Sequence, residues 1–193
     1  MDTDRKWIVV RIDGRIASIS TDYVALAAIA TRLAQQKSPM YRKITAETLA
    51  FEDVWDIRLK ANWDDIILFG TEFQKKVWRR LFDMTHEEDG SPKAPRLISY
   101  SDFADICQNK AGVRAVAHAI GLNPVSVLIP CHLVIPKESI DYIKGVQKKA
   151  ESTIFKGDDI SMEKLLQDKG IDFGEYALGR KLKRALIQKE LSR

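Results

Sequence analysis

A cysteine and a histidine stand side by side in this chain at Cys131 and His132, preceded by Pro130 and bracketed by apolar residues. The thiolate is the reactive form of cysteine, and an adjacent imidazole that accepts the thiol proton generates it near neutral pH. The pair therefore indicates a nucleophilic cysteine. The alternative is a buried structural cysteine beside a hydrogen-bonded histidine, which is the more frequent meaning of a bare Cys-His pair.

Metal and disulfide chemistry are not indicated by the rest of the chain. Cys107 is the second of only two cysteines, and the histidines are scattered at His86, His118 and His132. Two thiols make neither a disulfide framework nor an all-cysteine zinc site. We expect no metal, no cofactor and a reducing cytoplasm, and no apolar run is long enough to span a membrane.

The N-terminal residues 1–69 are predicted to form a small α/β domain. Trp7 to Ser20 has the pattern of a β-hairpin, because Asp13-Gly14 supplies the positive φ that a tight turn needs. Asp22 is expected to cap a helix that runs to Leu33. The stretch from Ser38 to Asp65 is mixed in pattern, and a short strand is predicted at Ile66–Leu68.

Residues 70–193 are predicted to form a second, mostly helical domain that positions the Cys-His pair. Thr71 and Gln74 have the spacing of a capping box at a helix start. Ser99 or Ser101 is expected to cap a further helix. That helix is predicted to run through Ile106. After a break at Asn109–Gly112, three more helices are predicted, at Val113–Ile120, Ser161–Asp168 and Glu175–Ile187.

Two short helices joined by a glycine-containing turn are the outline of a helix-turn-helix. The fold class is therefore α+β, with a winged helix-turn-helix-like second domain. The net charge of +4 is uneven, because Arg180–Arg193 holds six basic residues against Glu190 alone. Such a basic end suggests a polyanionic partner or a solvated helix.

Five motifs occur in one order along the second domain: Phe73-Gln74-x-x-Val77-Trp78, Ser99-Tyr100, Arg114-Ala115-Val116, Asn123-Pro124 and Ile129-Pro130-Cys131-His132-x-Val134-Ile135. In this order and spacing the chain resembles the O6-alkylguanine-DNA alkyltransferases, and especially the C-terminal part of the bacterial adaptive-response proteins. The resemblance covers roughly residues 69 to 170.

The resemblance implies single-turnover DNA repair by a monomer without a cofactor. Its substrate would be duplex DNA containing O6-alkylguanine, with O4-alkylthymine as a further candidate. The damaged base is flipped out of the stack, and its alkyl group passes irreversibly to a cysteine, which here is Cys131. His132 then occupies the position of the base, and Tyr100 that of a donor to the departing guanine.

Further roles are implied by the same resemblance. Arg114 takes the position of the arginine that fills the place of the flipped base, and Asn123 that of the asparagine tying the recognition helix to the active-site loop. Val134 takes the position of a pocket wall. DNA contacts are also implied for Ala115, Ala117 and Ser101, and pocket positions for Ser126, Phe155 and Lys156.

The chain departs from the family's pattern at several positions. Leu133 replaces the usual arginine after the histidine, the stretch from Pro136 to Phe155 is longer and rich in lysine, and Phe155 falls where a tyrosine often stands. The glutamate that orients the histidine aligns with Lys169. Asp168, one residue earlier, is the candidate substitute, although neighbouring helical residues point about 100° apart.

Two functions follow from these features. The first is an active alkyltransferase, which the retained Cys131 favours. The second is a lesion-recognising DNA-binding protein with weak or lost transfer, which Leu133 and Lys169 favour. A cysteine hydrolase is disfavoured, because the sequence has no glycine motif typical of an oxyanion hole.

Overall fold

The computed structural model describes residues 5–24, 27, 29, 31, 43–87, 89–152 and 171–192, without the side chains of 149–152. It divides into two compact units. The first contains Met1–Ala94 and His118–Cys131, and the second contains Pro95–Ala117 and His132–Arg193. The first unit includes the helix after Thr71 and the segment that ends at Cys131. The division into domains 1–69 and 70–193 stays a prediction.

The sheet of the first unit is built on the predicted hairpin. Strands β1 (Trp7–Ile12) and β2 (Arg15–Ser20) pair antiparallel, and β3 (Ile44–Leu49) pairs on the other side of β1. The hairpin is confirmed: Asp13 and Gly14 have φ values of 52° and 83°, as a two-residue turn of this kind requires. Alternate residues of β1 are buried in the core of this unit.

The region between Asp22 and Ile66 contains more regular structure than the sequence pattern indicated. Asp22 Oδ1 accepts a hydrogen bond from the Val24 amide at 3.0 Å, as a cap should, and the described residues from Val24 to Thr31 are helical. Helix α1 spans Phe51–Lys60 and was not predicted, nor was β3. The strand predicted at Ile66–Leu68 is wrong, because only Ile66 forms a bridge, to Ile16.

Helix α2 (Glu72–Phe82) begins with the predicted capping box. The Thr71 hydroxyl accepts from the Gln74 amide at 3.2 Å, and the Gln74 side chain accepts from the Thr71 amide at 2.9 Å. The reciprocal bonds satisfy two amides that the first helical turn leaves without intrahelical partners. Trp78 lies on the buried face of this helix.

The predicted helix-turn-helix lies between residues 98 and 121, and the division into units falls within its last helix, between Ala117 and His118. Strand β4 (Ile98–Ser99) leads into α3 (Tyr100–Ile106), and a turn containing a 3-10 segment leads into α4 (Val113–Gly121). Ser99 is the cap of α3, since its hydroxyl accepts from the Asp102 amide at 3.1 Å. Strand β5 (Val134–Ile135) pairs parallel with β4.

Two helices of the second unit differ from the prediction. The lysine-rich stretch after Pro136 is not a loop: it forms α5 (Lys137–Ser152) and packs Ile140 and Ile143 into an apolar cluster with Phe173. Helix α6 spans Arg180–Leu191 rather than Glu175–Ile187, because Gly179 with φ 96° breaks the helical path before it. The helix predicted at Ser161–Asp168 lies outside the described residues.

Candidate active site

The loop that ends at Cys131 is a succession of tight turns. The Leu128 amide donates to the Ser126 carbonyl at 2.9 Å, and the Cys131 amide donates to the Ile129 carbonyl at 2.8 Å, so each bond closes a three-residue turn. Val127, at the centre of the first turn, is fully buried with φ 73°. A β-branched residue in this left-handed region is strained, and such strain is typical of functional loops.

The side chain of Asn123 makes three hydrogen bonds to this loop. Its Oδ1 accepts from the Val125 amide at 3.0 Å, while Nδ2 donates to the Ile129 carbonyl at 2.9 Å and to the Cys131 Sγ at 3.1 Å. A donor aimed at sulfur stabilises the thiolate relative to the thiol. Cys131 is only 6% exposed, so the sulfur is presented in a confined position.

His132 has a carboxylate partner that the sequence analysis did not find. In the second unit, His132 Nε2 lies 3.1 Å from Glu190 Oε1, and both side chains are 0% exposed. An Nε2–H that donates to the carboxylate leaves the lone pair on Nδ1, which fixes the histidine as a base at that atom. Cys131 and His132 follow one another within a single 3-10 turn.

The sequence analysis left open whether Asp168 takes the place of the family's glutamate, and the structure shows a different carboxylate at His132. Asp168 and Lys169, where the alignment sought this group, lie outside the described residues, and Glu190 of α6 makes the contact. A signal for it exists in the sequence, because Leu182, Leu186 and Glu190 share one face of the helix at a spacing of four residues. A glutamate on the apolar face of an amphipathic helix indicates a buried partner.

Lys183 is a second buried charge on α6. Its ammonium donates to the Val134 carbonyl at 2.8 Å and to the Glu175 carbonyl at 3.4 Å, and lies 5.7 Å from the centre of the Tyr100 ring. The lysine thus holds the strand of the predicted pocket wall. Together with Arg184, which stacks on Phe173, it shows that part of the basic C-terminal end has a structural task.

The exposed face of α4 carries the residues predicted to meet DNA. Arg114 and Ala115 are exposed and Ala117 is half-buried, whereas Val116 and Ala119 are buried. A small-residue surface with one arginine allows close approach of a helix to a groove. The predicted DNA contacts of Arg114, Ala115 and Ala117 stay predictions.

The other predicted residues fall into two groups. Ser126 and Val134 are buried, and Ser101 is half-buried with its hydroxyl 2.9 Å from that of Ser99. Phe155 and Lys156 lie outside the described residues, so their pocket roles stay predictions.

Two absences apply to the described part of the chain. Within residues 5–152 and 171–192, apart from the undescribed positions among them, no group of three or more His, Cys, Asp or Glu side chains is placed to hold a metal ion. Among the helices that the structure describes, none is long and apolar enough to cross a membrane.

The structure shows a helix-turn-helix that is followed in the chain by a tightly turned loop ending at a buried cysteine. Residues 72–153 match the family model described as "6-O-methylguanine DNA methyltransferase, DNA binding domain". This segment is therefore similar to the DNA-binding domain of the O6-alkylguanine-DNA alkyltransferase family.

Similar sequences carry related names. The chain is 38% identical over 86 residues to a probable methylated-DNA–protein-cysteine methyltransferase of Acanthamoeba polyphaga mimivirus, covering 44% of this chain and 52% of the relative. It is 32% identical over 106 residues to the Haemophilus influenzae methylated-DNA–protein-cysteine methyltransferase, covering 54% and 52%. The matched part thus spans about half the length of these curated relatives.

Solved structures support the fold over nearly the whole chain. An O6-methylguanine-DNA methyltransferase from Pyrococcus kodakaraensis superimposes with a TM-score of 0.54 at 20% identity, covering 96% of this chain and 91% of that one. The Mycobacterium tuberculosis OGT in complex with DNA gives 0.50 at 19%, covering 93% and 83%. The mixed α+β architecture is confirmed.

Proposed function

We propose that this protein repairs DNA by moving an alkyl group from O6 of guanine to Cys131, once per molecule. The observation that carries the proposal is the fully buried Glu190–His132 pair, which is directly continuous in the chain with a cysteine whose sulfur accepts an amide hydrogen bond. Nothing in a purely structural Cys-His pair requires a buried carboxylate on the histidine.

The groups present account for each proton in the transfer. Glu190 holds the Nε2–H of His132, so that Nδ1 takes the proton of the Cys131 thiol, directly or through a water. The thiolate attacks the alkyl carbon, the new S–C bond forms, and the C–O6 bond breaks with its electron pair staying on guanine. Tyr100 is proposed to donate its proton to the departing base; afterwards the phenolate takes a proton from solvent and His132 returns one to it.

The product explains why one protein acts once. The reverse reaction would have to break the S–C bond of a neutral thioether with the cysteine thiolate as leaving group. The thiolate leaves too poorly for this, so the alkylated cysteine is not regenerated by simple reversal. The reaction needs no metal or cofactor, since the nucleophile, base and proton donor are all side chains. We accordingly propose stoichiometric rather than multiple turnover.

Duplex DNA is the proposed partner, and a monomer is the proposed active form. The exposed Arg114 would enter the stack and occupy the place of the flipped guanine, with Ala115 and Ala117 allowing the helix to approach. Ser101 is proposed to contact the sugar-phosphate backbone of the DNA. Residues 1–69 are proposed to support the fold rather than to contact the lesion.

The alternative, a lesion-binding protein that has lost transfer, is weakened. It depended on the absent glutamate and on Leu133. The carboxylate is present as Glu190, and Leu133 is fully buried. A buried leucine at this position has a packing explanation that does not involve the reaction.

The proposal is tested by intact mass after incubation with duplex DNA containing a single O6-methylguanine. We expect a gain of one methyl group, mapped by peptide sequencing to Cys131. Cys131→Ser should bind the same duplex without gaining mass, and Cys107→Ser should behave as the unchanged protein. Labelling at Cys107, or tight binding with no transfer, would contradict the proposal.

A further inference from the structure

Trp78 touches the end of the recognition helix within the first unit. Its indole Nε1 donates to the Ala119 carbonyl at 2.8 Å, and the Trp78 side chain is 1% exposed. Gly70 permits this position, because a Cβ there would lie 2.8 Å from two ring atoms of Trp78. The six-membered ring of the indole therefore lies close to the Gly70 backbone.

The hydrogen bond falls where α4 stops. In a continuing helix the Ala119 carbonyl would accept from the amide of Asn123, four residues later. Instead, the Asn123 amide donates to the Ile120 carbonyl at 3.2 Å. The indole takes over one of the carbonyls that a helix C-terminus leaves without an intrahelical partner. It thereby satisfies the buried end of α4 while the backbone of Asn123 leaves the helical path.

Asn123 is the residue that needs this departure. From its position just beyond α4 its side chain holds the Val125 amide, the Ile129 carbonyl and the Cys131 sulfur. If the helix continued through Asn123, the backbone of that residue would follow the helical path and its side chain would start from a different position and direction. All three contacts would then be lost together.

We infer that Trp78 is a positioning residue for Cys131, acting through the Ala119 carbonyl and Asn123. The inference rests on the proposed function only for its biological consequence. Its physical content is that the indole N–H fixes the helix end from which Asn123 reaches the sulfur. Loss of that N–H should lower the reactivity of Cys131 even when no DNA is present.

The test measures the rate at which iodoacetamide alkylates Cys131 across a range of pH. A Cys107→Ala background removes the other thiol, so that the rate refers to Cys131 alone. Alkylation forms an S–C bond and releases iodide, and its rate follows the thiolate fraction. His132, the titratable neighbour of Cys131 in the chain, is unchanged in every variant. Trp78→Phe keeps an aromatic ring but removes the donor, and Trp7→Phe is the matched control at another buried tryptophan.

We expect Trp78→Phe to slow alkylation at pH 7 by about threefold or more and to shift the profile to higher pH, since a tenfold change corresponds to one pKa unit. Trp7→Phe should leave the profile in place, whatever it does to the melting temperature. Gly70→Ala, which pushes on the ring but keeps the N–H, should shift the profile in the same direction as Trp78→Phe.

A double-mutant cycle tests whether Trp78 acts on Cys131 through Asn123. Asn123→Ala should shift the profile by itself, and adding Trp78→Phe to it should produce no further change, because both act on one contact. An unshifted Trp78→Phe, or shifts that add in the double variant, would overturn the inference. Failure of the alkyl transfer to DNA with the iodoacetamide results as expected would instead reject the proposed function alone.

Discussion

Replacing Glu190 with glutamine tests whether the buried carboxylate acts in the proposed reaction. Glutamine has nearly the same shape and its carbonyl oxygen still accepts from His132 Nε2, but the negative charge is gone. A hydrogen bond to a charged group contributes about 1.5–3 kcal/mol, against about 0.5–1.5 kcal/mol for a neutral one. Because both side chains are 0% exposed, solvent does not screen the difference.

The expected loss is about 1–2 kcal/mol of stabilisation of the protonated histidine, which corresponds to about 5- to 30-fold in rate. Single-turnover transfer from an O6-methylguanine duplex should slow by this factor at pH 7. As pH rises past the ordinary thiol pKa of about 8.5, solvent removes the proton and the histidine matters less. The transfer rate of the unchanged protein divided by that of Glu190→Gln should therefore fall toward one near pH 9.5.

Two further variants make the result decisive. Glu138→Gln, an exposed carboxylate on α5, should leave the rate unchanged at every pH. Asp168→Asn should also have little effect. If Asp168→Asn cripples the transfer at pH 7 and Glu190→Gln does not, the relay runs through a different carboxylate and the reasoning is refuted. An equal slowing by Glu190→Gln at pH 7 and pH 9.5 would refute the proton-transfer role.

Three other results are expected. Arg114→Ala should slow transfer in duplex DNA by about tenfold or more but leave reaction with a free O6-alkylguanine base unchanged, since flipping costs a few kcal/mol that the free base does not require; equal slowing would contradict the finger role. Lys183→Met should lower the free energy of unfolding in urea by about 1–3 kcal/mol, because the Val134 carbonyl loses its donor. Val127→Gly should destabilise by about 1 kcal/mol less than Val125→Gly, since glycine relieves the positive φ at one equally buried valine and not at the other; equal losses would show that no strain is present.

Features determined by neighbours in the chain could be predicted from the sequence. The Asp13-Gly14 turn and the Thr71–Gln74 capping box each depend on residues at most three positions apart, and both form as predicted. The helix-turn-helix around Arg114 likewise follows from local spacing. The Cys-His pair and Asn123 lie within ten residues of one another, so their motif can be recognised in one short stretch of sequence.

Elements that depend on packing were harder to predict. Helix α5 looks like a lysine-rich loop in sequence, and only the burial of Ile140 and Ile143 against Phe173 makes its apolar face evident. Strand β3 is exposed along its length and has no alternating apolar pattern, so its pairing with β1 defines it. In both cases the stabilising contacts come from distant parts of the chain.

Tertiary structure decided which carboxylate is the partner of His132. Glu190 is 58 residues away along the chain, and the lengthened segment after Pro136 displaces any alignment made by counting from the cysteine. The sequence determines that the proposed nucleophile and its proposed base are adjacent, because Cys131 and His132 are covalent neighbours. Which carboxylate reaches the histidine depends on how α6 packs, since burial brings the apolar face of that helix, and the glutamate on it, to the imidazole.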